Sequence, residues 1–224
     1  MTRMRAFAIA GVCLVLANPA FADTDTPQPE SPATSTTTYA ALIEKAESGV
    51  GDIDYTALRL SYPQSSTYDP YGAVTRAAFN DAWNAFQKND CDTALAKTDE
   101  IQKTNYTIVA IHAVRGECFE RAGDSVRSAR ELAIAKGLAQ SELASGDGKS
   151  PATAYHVVTM NEENFILTAL GVTSTKQALL SKNGHSYDLM SGTYTKTGEP
   201  AGVLFLVDDI MAGELRILKN RSAN

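Results

Sequence analysis

The stretch GDGKSPATAY, Gly146 to Tyr155, separates a long run of helical periodicity from a run of strand-like alternation. Gly146 and Gly148 flank Asp147, while Pro151 disfavours helical backbone at Ser150 and brings no N–H to continue a helix from behind. One architecture stops at this joint and another starts. The expected fold class is α+β, with a helical region over residues 38–145 and a small, mostly antiparallel α+β module over residues 146–224.

Moving back from the joint, helical signals run continuously from Tyr71. Phe79, Ala82, Trp83 and Phe86 form one stripe, and Ala73, Ala77, Ala78 and Ala85 leave room for a neighbouring helix. Asn89-Asp90 breaks this first helix. A second is expected from Asp92 to about Thr104, a third from Tyr106 to Ala122, and a fourth from Gly123-Asp124 to about Leu143. Aligning Ala85–Asp90 with Cys118–Asp124 gives an offset of about 33 to 34 residues, the tetratricopeptide period, in which each unit is a helical hairpin. A tetratricopeptide-like array is the reading that follows, and a generic four-helix array is the alternative. His112, alone in mid-helix, reads as packing or surface.

Farther upstream, Tyr39, Leu42, Ile43 and Ala46 mark a short amphipathic helix ending at Gly49 or Gly51. Gly51 to Gly72 is dense in tyrosine and turn residues, and its Tyr62-Pro63 and Asp69-Pro70 steps predict an ordered loop without a helix. Tyr55, Tyr62, Tyr68 and Tyr71 read as turn packing within it. Asp23 to Thr37, rich in Thr, Pro and Ser, reads as a flexible leader. Residues 1–22 carry the pattern of a signal peptide: Arg3 and Arg5, an apolar run from Ala6 to Leu16, and Ala20-Phe21-Ala22 as the cleavage site, with cleavage after Ala22. Cys13 lies inside the apolar run behind Val12, where lipid attachment would need a small residue. The run is too short to span a bilayer, and no later segment is long and apolar enough, so stable membrane insertion is not expected. The expected location is the periplasm.

Without residues 1–22 the chain keeps 18 basic against 26 acidic residues, a formal charge of −8, which opposes nucleic acid as a partner. It also keeps two cysteines, Cys91 and Cys118. In an oxidising compartment they are expected to form a disulfide. In the hairpin arrangement, Cys91 opens the second helix and Cys118 lies near the end of the third, which places both at one end of the array.

Beyond the joint the period changes. Ala154 to Met160, Lys176 to Ser181, His185 to Thr195 and Ala201 to Asp208 read as strands, with Asn161 to Gly171 a short helix carrying Glu162 and Glu163 in its favourable first turn. Asn183-Gly184 is a hairpin turn. Gly213 to Asn224 has no clear assignment.

Gly148-Lys149-Ser150 has the look of a phosphate loop, but Leu143 stands where its first glycine belongs, and a helix, not a strand, precedes it. No nucleotide or other cofactor is expected. The candidate functional cluster is Asp147, Lys149, Ser150 and Tyr155 at the joint, with His185, Tyr187 and Asp188 after the hairpin turn. On a strand, His185 and Tyr187 share one face and Asp188 takes the other, so these three form no simple relay. His112, His156 and His185 are scattered, so no metal site is expected and no catalytic residue is assigned.

As a set, Asp54-Tyr55-Thr56-Ala57-Leu58-Arg59, Tyr68-Asp69-Pro70-Tyr71, Ser145 to Pro151 with Ala154-Tyr155, and Gly184 to Asp188 resemble a family of exported bacterial proteins known only as a domain of unknown function. The resemblance covers about Thr38 to Asp208 and implies an N-terminal helical part with a compact C-terminal part. It supplies no catalytic residue. The family's aromatic and acidic residues after the last β run are matched only in the acidic part, at Asp208-Asp209. The expected role is a non-enzymatic protein-interaction module with a protein partner in the cell envelope. The alternative is an envelope hydrolase built where His185 meets Asp147, Lys149 or Tyr187.

Overall fold

The computed structural model describes residues 38–49 and 51–222. The expected signal peptide at 1–22, Cys13 and the leader at 23–37 lie outside the described residues. The chain enters α1 (Tyr39–Ser48) at Thr38, whose hydroxyl accepts the Ala41 N–H, and leaves it at Gly49 in the left-handed region. Leu42 and Ala46, one turn apart, face the core.

The loop expected over Gly51 to Gly72 is half helix. Asp54 caps α2 (Tyr55–Ser61) by accepting the Ala57 N–H at 2.8 Å. Tyr62 keeps helical backbone ahead of Pro63 (φ −57°, ψ −39°), and a short 3-10 turn, Tyr62–Gln64, follows. Proline at the start of such a turn forfeits no needed N–H. The local pre-proline preference yields to burial: the Tyr62 ring is wholly enclosed, 5.2 Å from Tyr39 and 5.1 Å from Tyr68 between centroids. Beyond Gln64 the chain is a loop, held by the Asp69 carboxylate, which accepts the Ala73 and Val74 N–H groups.

Two helical hairpins follow, α3 (Arg76–Gln87) with α4 (Cys91–Gln102), and α5 (Val109–Arg121) with α6 (Ser125–Leu143). Their turns are built alike. Asp90 N–H reaches back to Ala85 O at 2.9 Å, and Asp124 N–H to Phe119 O at 2.9 Å. Asn89 and Gly123 take positive φ (59° and 76°), and the Asp90 and Asp124 carboxylates cap the next helices through Thr93 and Arg127 N–H. Each matching pair stands 34 positions apart. The helix ends match the sequence reading to within a few residues, save that α3 starts at Arg76, after a turn over residues 72–75.

Cys91 and Cys118 are joined in a disulfide with Cα atoms 5.4 Å apart. At the same end, the Arg121 guanidinium lies over the Phe86 ring and donates to Asn89. The bridge ties α4 to α5 across 27 positions of chain, and removing it by paired alanine substitution is expected to lower stability by about 3 kcal/mol. Comparing urea midpoints of the two proteins checks this. Alkylation before reduction is expected to label neither cysteine in the native chain.

Inside the hairpins lies a buried charge network. His112, fully enclosed, places Nδ1 2.7 Å from Glu131 and Nε2 2.6 Å from the Tyr106 carbonyl. Arg115 donates to the other Glu131 oxygen at 2.9 Å and continues to Thr98 and Asp99. Burial opposes charge on Glu131, but the hydrogen bond and charge of His112, with those of Arg115, outweigh it and hold the carboxyl below its usual range.

The C-terminal half is a mixed sheet in the order β1-β4-β3-β2, with β1 (Tyr155–His156) parallel to β4 (Pro200–Leu206) and the other pairs antiparallel. β2 (Val172–Lys182) and β3 (His185–Tyr194) form a hairpin through Asn183 and Gly184, both at positive φ as that turn requires. The strand expected over Ala154 to Met160 is only two residues long. Val158 N–H bonds the Glu162 carboxylate instead of a neighbouring strand, and α7 (Met160–Leu170) begins at once. β2 starts earlier than Lys176, at Val172, with an irregularity between Ser174 and Lys176.

The tail unassigned in the sequence is α8 (Asp208–Ser222), so Asp208 opens a helix and does not end a strand. Asp208 and Asp209 fill its first turn and Ile210 is buried against the sheet. Gly213 weakens the helical pattern for a packing reason: a Cβ there would stand 2.4 Å from the Tyr68 ring. Among the described residues no helix is long and apolar enough to cross a membrane.

Candidate functional site

The structure distributes the predicted cluster over several places. Asp147 folds its carboxylate onto the Lys149 N–H (3.0 Å) and pairs with the exposed Lys149 ammonium at 3.4 Å, while Ser150 bonds Thr153. This is a self-contained turn. Gly146 is required there because a Cβ would meet the Thr153 and Ala154 carbonyl oxygens at 2.5 Å. Tyr155 points into the core, its ring 6.0 Å from Phe205.

His185 and Tyr187 share a face, as expected, with ring centroids 6.4 Å apart. The carboxylate that orients His185 is Asp208, 2.5 Å from Nδ1, whose second oxygen accepts the Ser186 N–H. The joint docks on β4 through Gly148 O and Leu204 N–H, whereas Asp208 lies four positions on, past the end of β4, in the first turn of α8. Tyr187 is buried with Leu204 and Ala154. Asp188, on the opposite face, accepts from Gln177 and looks toward α7.

What the fold does gather is a set of carboxyl groups at the seam between the two halves. Arg59 of α2, 1 % exposed, crosses the seam: it donates to Ser141 of α6, to the His156 carbonyl of β1 at 2.8 Å, and to Glu162 of α7 at 2.9 Å. Glu142 of α6, also 1 % exposed, shares this site. Two buried carboxyls thus face one guanidinium. Burial first, then the charge of Glu162, pushes the Glu142 carboxyl well above its usual range, with Arg59 opposing. Burial likewise raises Glu162, against the pull of Arg59. Glu142 Oε2 and Glu162 Oε1 are buried without a hydrogen-bonding partner.

Glu163, the next residue of α7, is enclosed on the sheet side, and neither carboxyl oxygen has a partner of ordinary hydrogen-bond geometry. Burial, with Asp188 and Glu162 adding to it, pushes Glu163 up to about 8, and burial raises Asp188 too. Tyr71 stands over this pair, bonded to Glu214 of α8 at 2.9 Å. The seam is closed further by Tyr68 donating to the Val158 carbonyl, Met160 N–H to Pro70 O, and Arg216 to Pro63 O, while His156 pairs with Asp209 at 2.9 Å within the sheet half. Burial thus holds the carboxyls of Glu142, Glu162 and Glu163 above their ordinary range. Among the described residues, no group of three or more His, Cys, Asp or Glu side chains is placed to hold a metal ion.

The sequence carried a usable signal for two of these residues. Glu162 and Glu163 stand four positions before the buried Ile166 and Leu167, on the face of α7 that packs. Two acids on an apolar face are the mark of buried, protonated or paired carboxyls. Reading them only against the helix dipole missed this. Arg59 and Glu142 carry no such mark until the halves meet.

Helical hairpins packed through buried carboxyls onto a mixed sheet define an α+β protein with an N-terminal helical part. The family model described as domain of unknown function DUF4919 matches residues 32–214, and the chain belongs to that family. No curated protein and no solved structure matches the chain.

Proposed function

We propose that this is an exported periplasmic protein, cleaved after Ala22, in which a tetratricopeptide-like array serves as a non-enzymatic docking module for a protein partner in the cell envelope. The observation that carries this reading is the pair of hairpins with matching turns 34 positions apart, which leaves α3 and α5, the first helix of each hairpin, side by side. Between them runs an apolar depression lined by Phe79, Trp83, Ala110 and Val114, with Trp83 43 % exposed. A half-exposed tryptophan in an apolar groove is the kind of anchor that dominates protein interfaces. The dispersal of His185 and the Asp147–Ser150 turn favours this over a hydrolase, which needs its groups within hydrogen-bonding reach of one substrate.

The test is expression with the native leader and a photo-crosslinking residue at position 83. The mature chain is expected to begin at Asp23, and the crosslinker to yield one discrete adduct that is absent when it replaces the exposed Leu132 on α6. A chain retained unprocessed in the cytoplasm, or the same adducts from both positions, would overturn the reading.

A further inference from the structure

We propose that the seam between the helical half and the sheet is a proton-operated latch: with Glu142 and Glu163 protonated, α7 is clamped between α6 and β3, and loss of these protons releases α7 while the helical hairpins stay folded. The inference is independent of what the α3–α5 groove binds.

Geometry carries it. Among the described residues, these charged or titratable groups face the latch residues. Glu142 on α6 faces Glu162 of α7 and Arg59 of α2. Glu163 on α7 faces Asp188 of β3 and its own neighbour Glu162. Tyr71, from the loop before α3, senses Glu163, Asp188 and Glu214 of α8, and Glu162 is also approached by His156 of β1 and Tyr68. Arg59 is the only cation in hydrogen-bonding contact with these carboxyls among the described residues, and it is committed to Glu162. Glu163 therefore faces no cation, and its buried carboxyl meets another acid, Asp188, to which its protonated form donates. Ionising Glu163 in place would leave an unpaired charge sealed from water, which is relieved when α7 moves away.

The sign follows from linkage. Glu163 ionises at about 8 when closed, above its ordinary value of 4.5, so the closed form holds a proton that the open form releases. Opening is favoured as pH rises between those values, about tenfold for each pH unit and each proton lost. The hairpins have a separate anchor in the Cys91–Cys118 bridge and the His112–Glu131–Arg115 network, which does not involve these carboxyls.

Hydrogen exchange on the full mature chain, corrected for intrinsic rates, tests the latch. Protection of the α7 amides is expected to fall about tenfold per pH unit between pH 5 and 8, while protection in α5 stays level. Glu163→Gln imitates the protonated acid and is expected to fold and to flatten the α7 slope, and Glu142→Gln to flatten whatever slope remains. A level α7 profile in the native chain, an equal slope in α5, a slope unchanged by Glu163→Gln, or failure of Glu163→Gln to fold would each overturn the proposal.

Discussion

Replacing Arg59 by methionine is expected to remove about 3–5 kcal/mol of stability at neutral pH, with Tm falling on the order of 10 °C. The side chain is 1 % exposed and holds Ser141, the His156 carbonyl and Glu162 together. Methionine fills similar volume but leaves Glu162 and Glu142 with no cation between them, so the loss reflects stranded carboxyls more than lost packing. The deficit should shrink as pH falls, because protons neutralise those acids, both of which are held above their ordinary range and rise further without Arg59. A second change, Glu162→Gln, removes the stranded charge, and the double variant is expected to recover 1–3 kcal/mol relative to the sum of the single losses. Urea denaturation of the four proteins supplies the cycle. Strict additivity would show that Arg59 acts through packing alone.

The second large effect belongs to Glu131, which holds both His112 and Arg115 in the hairpin interior. Glu131→Ala is expected to cost about 3–5 kcal/mol, because it buries a guanidinium and an imidazole beside each other with no anion between them. Its pH signature is opposite to that of the seam. A carboxyl held below its ordinary value stabilises the fold above the unfolded-state value of about 4.5, and that contribution is lost as pH falls further. Native protein should therefore lose stability below pH 4.5 more steeply than the variant, which has already lost this contribution. Equal slopes would mean that Glu131 does not titrate as the network requires.

The two networks also separate what was legible in advance. The hairpin turns were readable because Asn89-Asp90 and Gly123-Asp124 are local devices: positive φ and a capping carboxylate act within five residues and need no tertiary partner. The disulfide followed from the count, two cysteines in an oxidising compartment, and the hairpin arrangement agreed by placing both at one end of the array. Asn183-Gly184 announced its hairpin for a similar reason. The failures have two causes. Tyr62 ahead of Pro63 and the helix through Gly213 follow packing against rings that the local sequence does not reveal, Tyr39 and Tyr68 for the first and Tyr68 for the second, whereas β1 is cut short by a local contact, the Val158 N–H to the Glu162 carboxylate four residues on.

By itself, then, the sequence determined the change from helices to strands across Gly146–Tyr155, the spacing of the hairpin turns and the hairpin turn in the sheet, because these depend on backbone preference and on spacing along one chain segment, while the count of cysteines determined the pairing of Cys91 with Cys118. Only the tertiary structure decided where the unusual chemistry lies. Arg59, Glu142, Glu162, Glu163 and Asp188 come from four segments. Their burial arises only when the helical half closes on the sheet and removes water from all five at once, and it is the loss of that water, a property of the assembled seam, that turns ordinary surface acids into proton-holding groups.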